Sequence, residues 1–256
     1  MIVGFAGAGN MAGAIARGIA RGQQPPVMLF TDSGSGRAQR LADEVGGERV
    51  EMLEELADRS DVVVLAVKPA GLDAVAPRIA GRAGAVVSVL GATPLAKLEA
   101  ALSPTPVLRT MPNIAVEIGS GIVCHAPTPA GVPEIDAFLE ILAGLGSVVE
   151  VPEQQLDAAT AVMGCAPAYI ALAAGAIADA GVEAGLEPGL SARLVREAIE
   201  GVGRHLAELE PAPMQVAIAS PGGSTEAGLE ALAEREVAAA FTAAVGASLE
   251  RMEGNR

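Results

Sequence analysis

The sequence has no tryptophan, one tyrosine and four phenylalanines, so its core must be built from Ala, Val, Leu and Ile. The two cysteines, Cys124 and Cys165, form no disulfide framework and suit a reducing cytoplasm. The two histidines, His125 and His205, have no metal-like spacing; structural or surface roles are expected for both, and no metal. Nothing resembles a Ser-His-Asp arrangement. Positive charge is scarce: 17 Lys and Arg face 31 Asp and Glu, a formal charge of −14. This argues against sequence-independent binding to nucleic acid or anionic membranes, which needs clustered Lys and Arg. An anionic ligand therefore needs a locally positive site, such as a helix N-terminus. A basic n-region is also missing, so the first apolar run reads as a strand rather than a signal peptide, and a cytoplasmic location is expected. Ala158–Ala178 lacks any charge and is about long enough to span a bilayer. Its Ala and Gly content, Pro167 and the bracketing Asp157 and Asp179 make a helix buried inside protein the better reading.

What is present begins at the first residues, MIVGFAGAGNMAGAIARGIA. Ile2–Ala6 is an apolar run that ends abruptly in glycine, and Ala14, Ile15, Gly18 and Ile19 continue at roughly helical spacing. The stretch between them matches G-x-G-x-x-A, the dinucleotide fingerprint of a Rossmann unit. Gly7 allows the sharp turn, Gly9 leaves room for a pyrophosphate, and Ala12 lets the helix lie against the strand. Asn10 and Met11 open a helix whose N-terminus offers free N–H groups and a positive dipole end. A second strand, Val27–Thr31, ends at Asp32, where an acidic residue would meet the adenine ribose. The loop after it carries Ser33, Ser35 and Arg37, a hydroxyl-plus-arginine set suited to a 2′-phosphate. Asp32 favours NADH and the loop favours NADPH; the balance leans slightly to NADPH.

At 256 residues the chain accommodates one large domain or two modest ones. Helices are expected at Ala38–Val45, Leu53–Ser60, Leu72–Arg82, Pro94–Leu102 (capped by Thr93) and Pro133–Leu145. Strands are expected at Asp61–Val67, Ala85–Val89, Pro106–Arg109, Gly121–His125 and Ser147–Val151. This alternation makes an α/β doubly wound, mainly parallel sheet over residues 1–152. From 153 to 256 strand signals vanish and an all-α domain is expected. Its helices are Glu153–Ala184, Pro188–Leu209 and Ser224 to about Arg251, with Glu210–Gly223 as a turn. In Ser220-Pro221-Gly222-Gly223-Ser224-Thr225 the glycines let the backbone curl into a helix start, where N–H groups and hydroxyls suit one carboxylate. The same residues would also serve as an ordinary N-cap.

Four stretches together resemble the pyrroline-5-carboxylate reductases: GFAGAGNMAGAIARG, AVKP at Ala66–Pro69, RTMPN at Arg109–Asn113 and SPGGSTEAGL at Ser220–Leu229. A fifth, GCAPAY at Gly164–Tyr169, matches the family more loosely. The resemblance implies that Ala66, Lys68, Pro69, Met111, Pro112 and Asn113 lie near the nicotinamide half of the cofactor. Read alone, Lys68-Pro69 could merely end a strand and Met111-Pro112 merely turn the chain. The sequence departs from the family at Met163, Cys165, Ala166 and Val216, positions around the family's substrate region. Cys165 is expected to be a buried packing residue. The related β-hydroxyacid dehydrogenases carry a lysine on the first long helix after the Rossmann domain. Here that helix carries none, which disfavours alcohol oxidation.

The resemblance implies NAD(P)H-dependent reduction of 1-pyrroline-5-carboxylate, a small anionic cyclic imine, to proline. Thr225 is expected nearest the ring nitrogen as proton donor or relay, with Ser220, Gly223 and Ser224 holding the carboxylate. It also implies a homodimer through the C-terminal helices, with dimers assembling further in some members. The alternatives are a diverged paralogue reducing another small imine or carbonyl, and a non-catalytic dinucleotide-binding protein.

Overall fold

Hydrophobic runs that stay apolar on both faces set the centre of this fold. In the computed structural model, which describes residues 1–254, Val62–Leu65 is buried at every position, as a strand covered by helices on both sides must be. The strands are β1 (Ile2–Ala6), β2 (Val27–Thr31), β3 (Glu48–Arg49), β4 (Val62–Leu65), β5 (Ala85–Ser88), β6 (Val107–Pro112), β7 (Gly121–His125) and β8 (Gly146–Glu150). They form one eight-stranded sheet in the order β3-β2-β1-β4-β5-β6-β7-β8. Pairing is parallel from β3 to β6, antiparallel between β6 and β7, and parallel again to β8. The order reverses at β1, which lies between β2 and β4, and this is where such a sheet opens a crevice at its C-terminal edge.

Helices α1 (Asn10–Ala20), α2 (Arg37–Val45) and α6 (Pro133–Ala143) cover one face through Ile15, Ile19, Leu41 and Phe138. Helices α3 (Leu53–Arg59), α4 (Leu72–Ile79) and α5 (Leu95–Leu102) cover the other through Leu56, Leu72, Ile79 and Leu98. Ala, Val, Leu and Ile dominate both layers. Phe5 and Phe30 nonetheless stack on β1 and β2 at 4.9 Å between ring centroids, a pairing that composition did not suggest.

The remaining helices are α7 (Leu156–Ala159), α8 (Ala166–Glu183), α9 (Pro188–His205), α10 (Pro211–Ile218), α11 (Ser224–Glu234) and α12 (Val237–Glu253). Two compact units result: Met1–Cys165 with the chain from Ser248 onward, and Ala166–Ala247. The first unit continues to Cys165, past the change of sequence pattern at 152, because Leu156 and Met163 pack with Met111 and Cys124. Arg109 adds buried ion pairs to Glu153 and Asp157.

Several expectations need correction. The helix expected over Glu153–Ala184 is interrupted by a π-turn at Thr160–Gly164. Pro167 has no N–H to bond the Met163 carbonyl, and Asn113 Nδ2 donates to that carbonyl instead at 3.4 Å. The turn expected at Glu210–Gly223 contains α10. The helix expected from Ser224 to Arg251 breaks at Glu236, whose φ is +53°. Thr93 does not cap α5; its hydroxyl donates to Gly91 O, and Glu153 Oε1 accepts from Leu95 N at 2.9 Å. Cys165 is half-buried rather than buried, whereas Cys124 is buried and its thiol pKa is raised by that burial. Within Ala158–Ala178, Ala161 and Met163 are buried, while in a single chain α8 has no buried residue and Leu172 and Ile177 are 75% and 58% exposed. By length and composition alone, Glu153–Glu183 could cross a membrane. His125 is buried with Nδ1 2.7 Å from Ala126 O, and His205 is exposed.

Candidate functional site

The turn after β1 needs glycine for two separate reasons. Gly7 has φ +107°, and a Cβ there would meet Ala66 O at 2.7 Å, so the end of β4 closes in on the turn. At Gly9 a Cβ would meet nothing within 4 Å. Gly9 is the N-cap of α1 and offers no side-chain bond, and the first intrahelical bond runs from Gly13 N to Gly9 O at 2.9 Å. The N–H groups of Asn10, Met11 and Ala12 therefore lack acceptors within the helix. Ala12 is fully buried in the sheet-facing core, Met11 packs against that core and Asn10 is exposed.

A cleft of about 490 Å³ opens beside this turn. Of the residues singled out from the sequence, Gly7, Gly9, Asp32, Ser33, Ser35, Arg37, Ala66 and Lys68 line it. Asn10, Met11 and Ala12 adjoin it in the chain, while Pro69, Met111, Pro112 and Asn113 are not on its wall. Glu51, Leu53, Val75 and Arg78 also line it, and sequence reading missed them. They come from loops and helices that carry no motif; only their place near the C-terminal edge of β2 and β4 brings them in.

Asp32 organises the far rim. Its Oδ1 accepts from Gly34 N at 2.9 Å, and its Oδ2 accepts from Ser35 Oγ at 2.5 Å, Arg37 N at 2.9 Å and Ala38 N at 3.1 Å. Partial burial alone would raise its pKa, but the bonds from Ser35, Ala38, Gly34 and Arg37 outweigh it and hold the carboxyl at about 2. The acid expected to meet a ribose thus also folds the loop that presents Ser33, Ser35 and Arg37.

Arg109–Pro112 is strand, where only Pro106–Arg109 was expected, and Asn113 follows it as the cap of the next turn. Met111 is 4% exposed and Asn113 8%. The Asn113 amide is committed to structure: Oδ1 accepts from Ala115 N and Ile122 N at 3.2 Å each, besides the Nδ2 bond to Met163 O. Arg109, 2% exposed, donates from Nη1 to Glu153 Oε1 at 2.7 Å and from Nη2 to Asp157.

In the second unit, Gly222 has φ +72°, Gly223 N donates to Ser220 O at 2.9 Å, and Gly223 is the N-cap of α11 without a side-chain bond. Ser224 and Thr225 therefore occupy the first helical turn and do not cap it. Ala227 N is the first donor into the helix, to Gly223 O at 3.2 Å, which leaves the N–H groups of Ser224, Thr225 and Glu226 to a ligand or water. Ser220, Ser224 and Thr225 are exposed. Glu226, not anticipated, accepts from Gly222 N through Oε2 at 2.6 Å and holds the loop. Its position, third in the helix, is the capping-box spacing that could have revealed it. Among the described residues no group of three His, Cys, Asp or Glu could hold a metal.

Comparison with known proteins covers both units. Residues 2–91 match a family model described as NADP oxidoreductase, coenzyme F420-dependent, and residues 153–254 match one for pyrroline-5-carboxylate reductase dimerisation. The chain is 37% identical to the pyrroline-5-carboxylate reductase of Thermus thermophilus, over 98% of this chain and 97% of that protein. It is 34% identical to that of Synechocystis sp., with the same coverage. The crystal structure of 1-pyrroline-5-carboxylate reductase from Streptococcus pyogenes superposes with a TM-score of 0.90 at 26% identity, covering 99% of this chain and 98% of that one. The Plasmodium falciparum pyrroline carboxylate reductase with NADP bound gives 0.84 at 27% identity, covering 100% and 98%.

Proposed function

Since the chain belongs to the pyrroline-5-carboxylate reductase family, we propose that it reduces 1-pyrroline-5-carboxylate to L-proline with NAD(P)H. The observation that carries this is near full-length likeness to such reductases in a chain that keeps an open Gly9 beside an unbonded helix start. A nicotinamide dinucleotide fits that geometry, because a Cβ at Gly9 would stand in the space the pyrophosphate needs. The N–H groups of Asn10, Met11 and Ala12 bind its phosphates, with the α1 dipole adding attraction. Asp32 Oδ1, which accepts a single bond, keeps capacity for a ribose hydroxyl. Ser33, Ser35 and Arg37 hold the 2′-phosphate of NADPH.

When bound, a reduced nicotinamide would supply hydride, the chemistry that reduction of an imine needs. Ala66, Lys68 and Pro69 shape the nicotinamide end. Met111 and Pro112 back the nicotinamide end from β6 without lining the cleft, and Asn113 acts indirectly by fixing the strand end against Met163. Ser220, Gly223 and Ser224 hold the substrate carboxylate at the α11 N-terminus. Thr225 presents its hydroxyl to the ring nitrogen, which must end protonated. An iminium is already electrophilic, so positioning and exclusion of water carry most of the catalysis. The C-terminal helices form a homodimer, with dimers able to assemble further, and both cysteines stay reduced in the cytoplasm.

The decisive assay mixes protein, NADPH and 1-pyrroline-5-carboxylate and follows loss of reduced-cofactor absorbance. Steady oxidation with formation of proline is expected. Tight cofactor binding without turnover would overturn the reading in favour of a non-catalytic binding protein. Met163, Cys165 and Val216 favour one competing reading, a paralogue for another imine. A higher kcat/KM on the six-membered cyclic imine acid than on the five-membered one would establish that instead.

A further inference from the structure

One carboxylate oxygen joins three separate segments of the first unit. Glu153 opens the 3₁₀ turn Glu153–Gln155, and its Oε1 accepts from Leu95 N at 2.9 Å and from Arg109 Nη1 at 2.7 Å. Leu95 is the first residue of α5, and the loop just before it holds Ala92 at φ +56°. Gly91, Ala92 and Thr93 of that loop line one cavity with Lys68 and Pro69. Arg109 precedes Met111 on β6, and Met111 packs with Leu156 and Met163 in a cluster that Leu95 also touches. Asp157 takes the other end of the guanidinium through Nη2. Glu153 itself does not line the dinucleotide cleft.

Stability does not account for this cluster. Arg109 is 2% exposed, and one buried cation there faces two carboxylates. Arg109 Nε and Glu153 Oε2 are buried with no hydrogen-bond partner among the described residues, and an unmet buried donor or acceptor is costly. Apolar side chains of similar volume would fill the space without that cost. What the charged groups add is direction. Both bonds to Oε1 form only when α5, β6 and the turn at Glu153 stand in one arrangement. We infer that Glu153 is a positioning residue for hydride transfer. Through the two bonds of Oε1 it sets the Gly91, Ala92 and Thr93 loop and the carboxyl end of β6, the two supports of the nicotinamide end. The kinetic half of this inference rests on the reductase reading, and the binding half rests on the cofactor alone. Small displacements of such supports cost rate steeply, because hydride transfer needs close and aligned partners.

The test compares Glu153→Gln, which keeps an acceptor oxygen for both bonds, with Glu153→Leu, which keeps none. Asp157 still pairs with Arg109 in each. Glu153→Leu is expected to lower kcat about tenfold or more, with a smaller change in the imine KM. It should also abolish most of the change in reduced-nicotinamide emission that accompanies NADPH binding. Affinity for 2′,5′-ADP, which lacks the nicotinamide half, should stay within about twofold, because that fragment sits at the Asp32 end. Glu153→Gln should keep most of the rate and of the emission change. Leu95→Pro is the second variant, for use if Glu153→Leu does not fold. It removes the Leu95 N–H alone, at a first helical position that proline suits and after a Pro94 already at ψ 147°. It should lower kcat and the emission change in the same sense while sparing 2′,5′-ADP. A lower melting temperature with unchanged kcat and emission would overturn the inference, as would Glu153→Gln as impaired as Glu153→Leu. The emission and 2′,5′-ADP measurements need no turnover. A wild-type protein that binds NADPH without reducing the imine would therefore reject the reductase reading and still leave Glu153 tested.

Discussion

At the scale of single residues, Thr225 separates chemistry from folding. Because Gly223 is the cap and Thr225 sits inside the first turn, its hydroxyl is not needed to start α11. Thr225→Ala should therefore lower kcat by roughly ten- to a hundredfold, about 1.4–2.8 kcal/mol. Stability should change by no more than about 0.5 kcal/mol. Thr225→Ser should keep much of the rate. Single-turnover kinetics and melting on the same variant check both halves, and a lower melting temperature with an unchanged rate would reject the catalytic role. Arg37→Ala should raise the KM for NADPH severalfold and leave that for NADH nearly unchanged. Asp32 adds a pH signature. Its pKa falls from 3.8 to about 2 on folding, so the support it gives is complete above the ordinary value and is lost as pH drops toward about 2. Cofactor KM should accordingly show no titration of this group between pH 5 and 8. Asp32→Asn, which keeps one acceptor oxygen in place of two, should raise KM for both cofactors.

At the scale of elements, the α/β half was legible because buried parallel strands read as unbroken apolar runs, as in Val62–Leu65 and Ala85–Ser88. The glycine turn was legible because φ and close approach both demand Gly7. What stayed hidden depended on partners distant in sequence. Nothing local in Glu153 says that it bonds Leu95 N at the start of α5, and nothing in Asn113 says that it answers a carbonyl freed by Pro167. Glu236 breaks a continuous helical pattern in a residue type that rarely adopts φ +53°. The Arg109 clamp is the energetic expression of such contacts. Arg109→Met would remove the buried guanidinium that pairs with Glu153 and Asp157 and should destabilise the protein by about 3–5 kcal/mol at pH 7. Chemical denaturation of both proteins at pH 7 measures this.

For the molecule as a whole, the second unit cannot bury its own apolar surface. Val216 is 78% exposed and Ile170 53%, and α8 has no buried residue. The dimerisation model matched by residues 153–254 supports a homodimer, and apolar exposure of this kind is what a dimer interface is expected to cover. Sedimentation should show a dimer at micromolar concentration, and the melting temperature should rise with protein concentration. A stable monomer would reject this arrangement.

Tyr169 gives this architecture an optical consequence. It is the sole tyrosine in a chain without tryptophan, and its hydroxyl donates from α8 to Ala244 O on α12 at 3.3 Å. The first unit contains only phenylalanine among its aromatic residues: Phe5, Phe30 and Phe138. Under excitation near the tyrosine band the dinucleotide-binding unit is dark, and every emitted photon reports on residues 166–247. A change in tyrosine emission on adding cofactor, corrected for the cofactor's own absorption, would therefore report on the helical unit, without any engineered label.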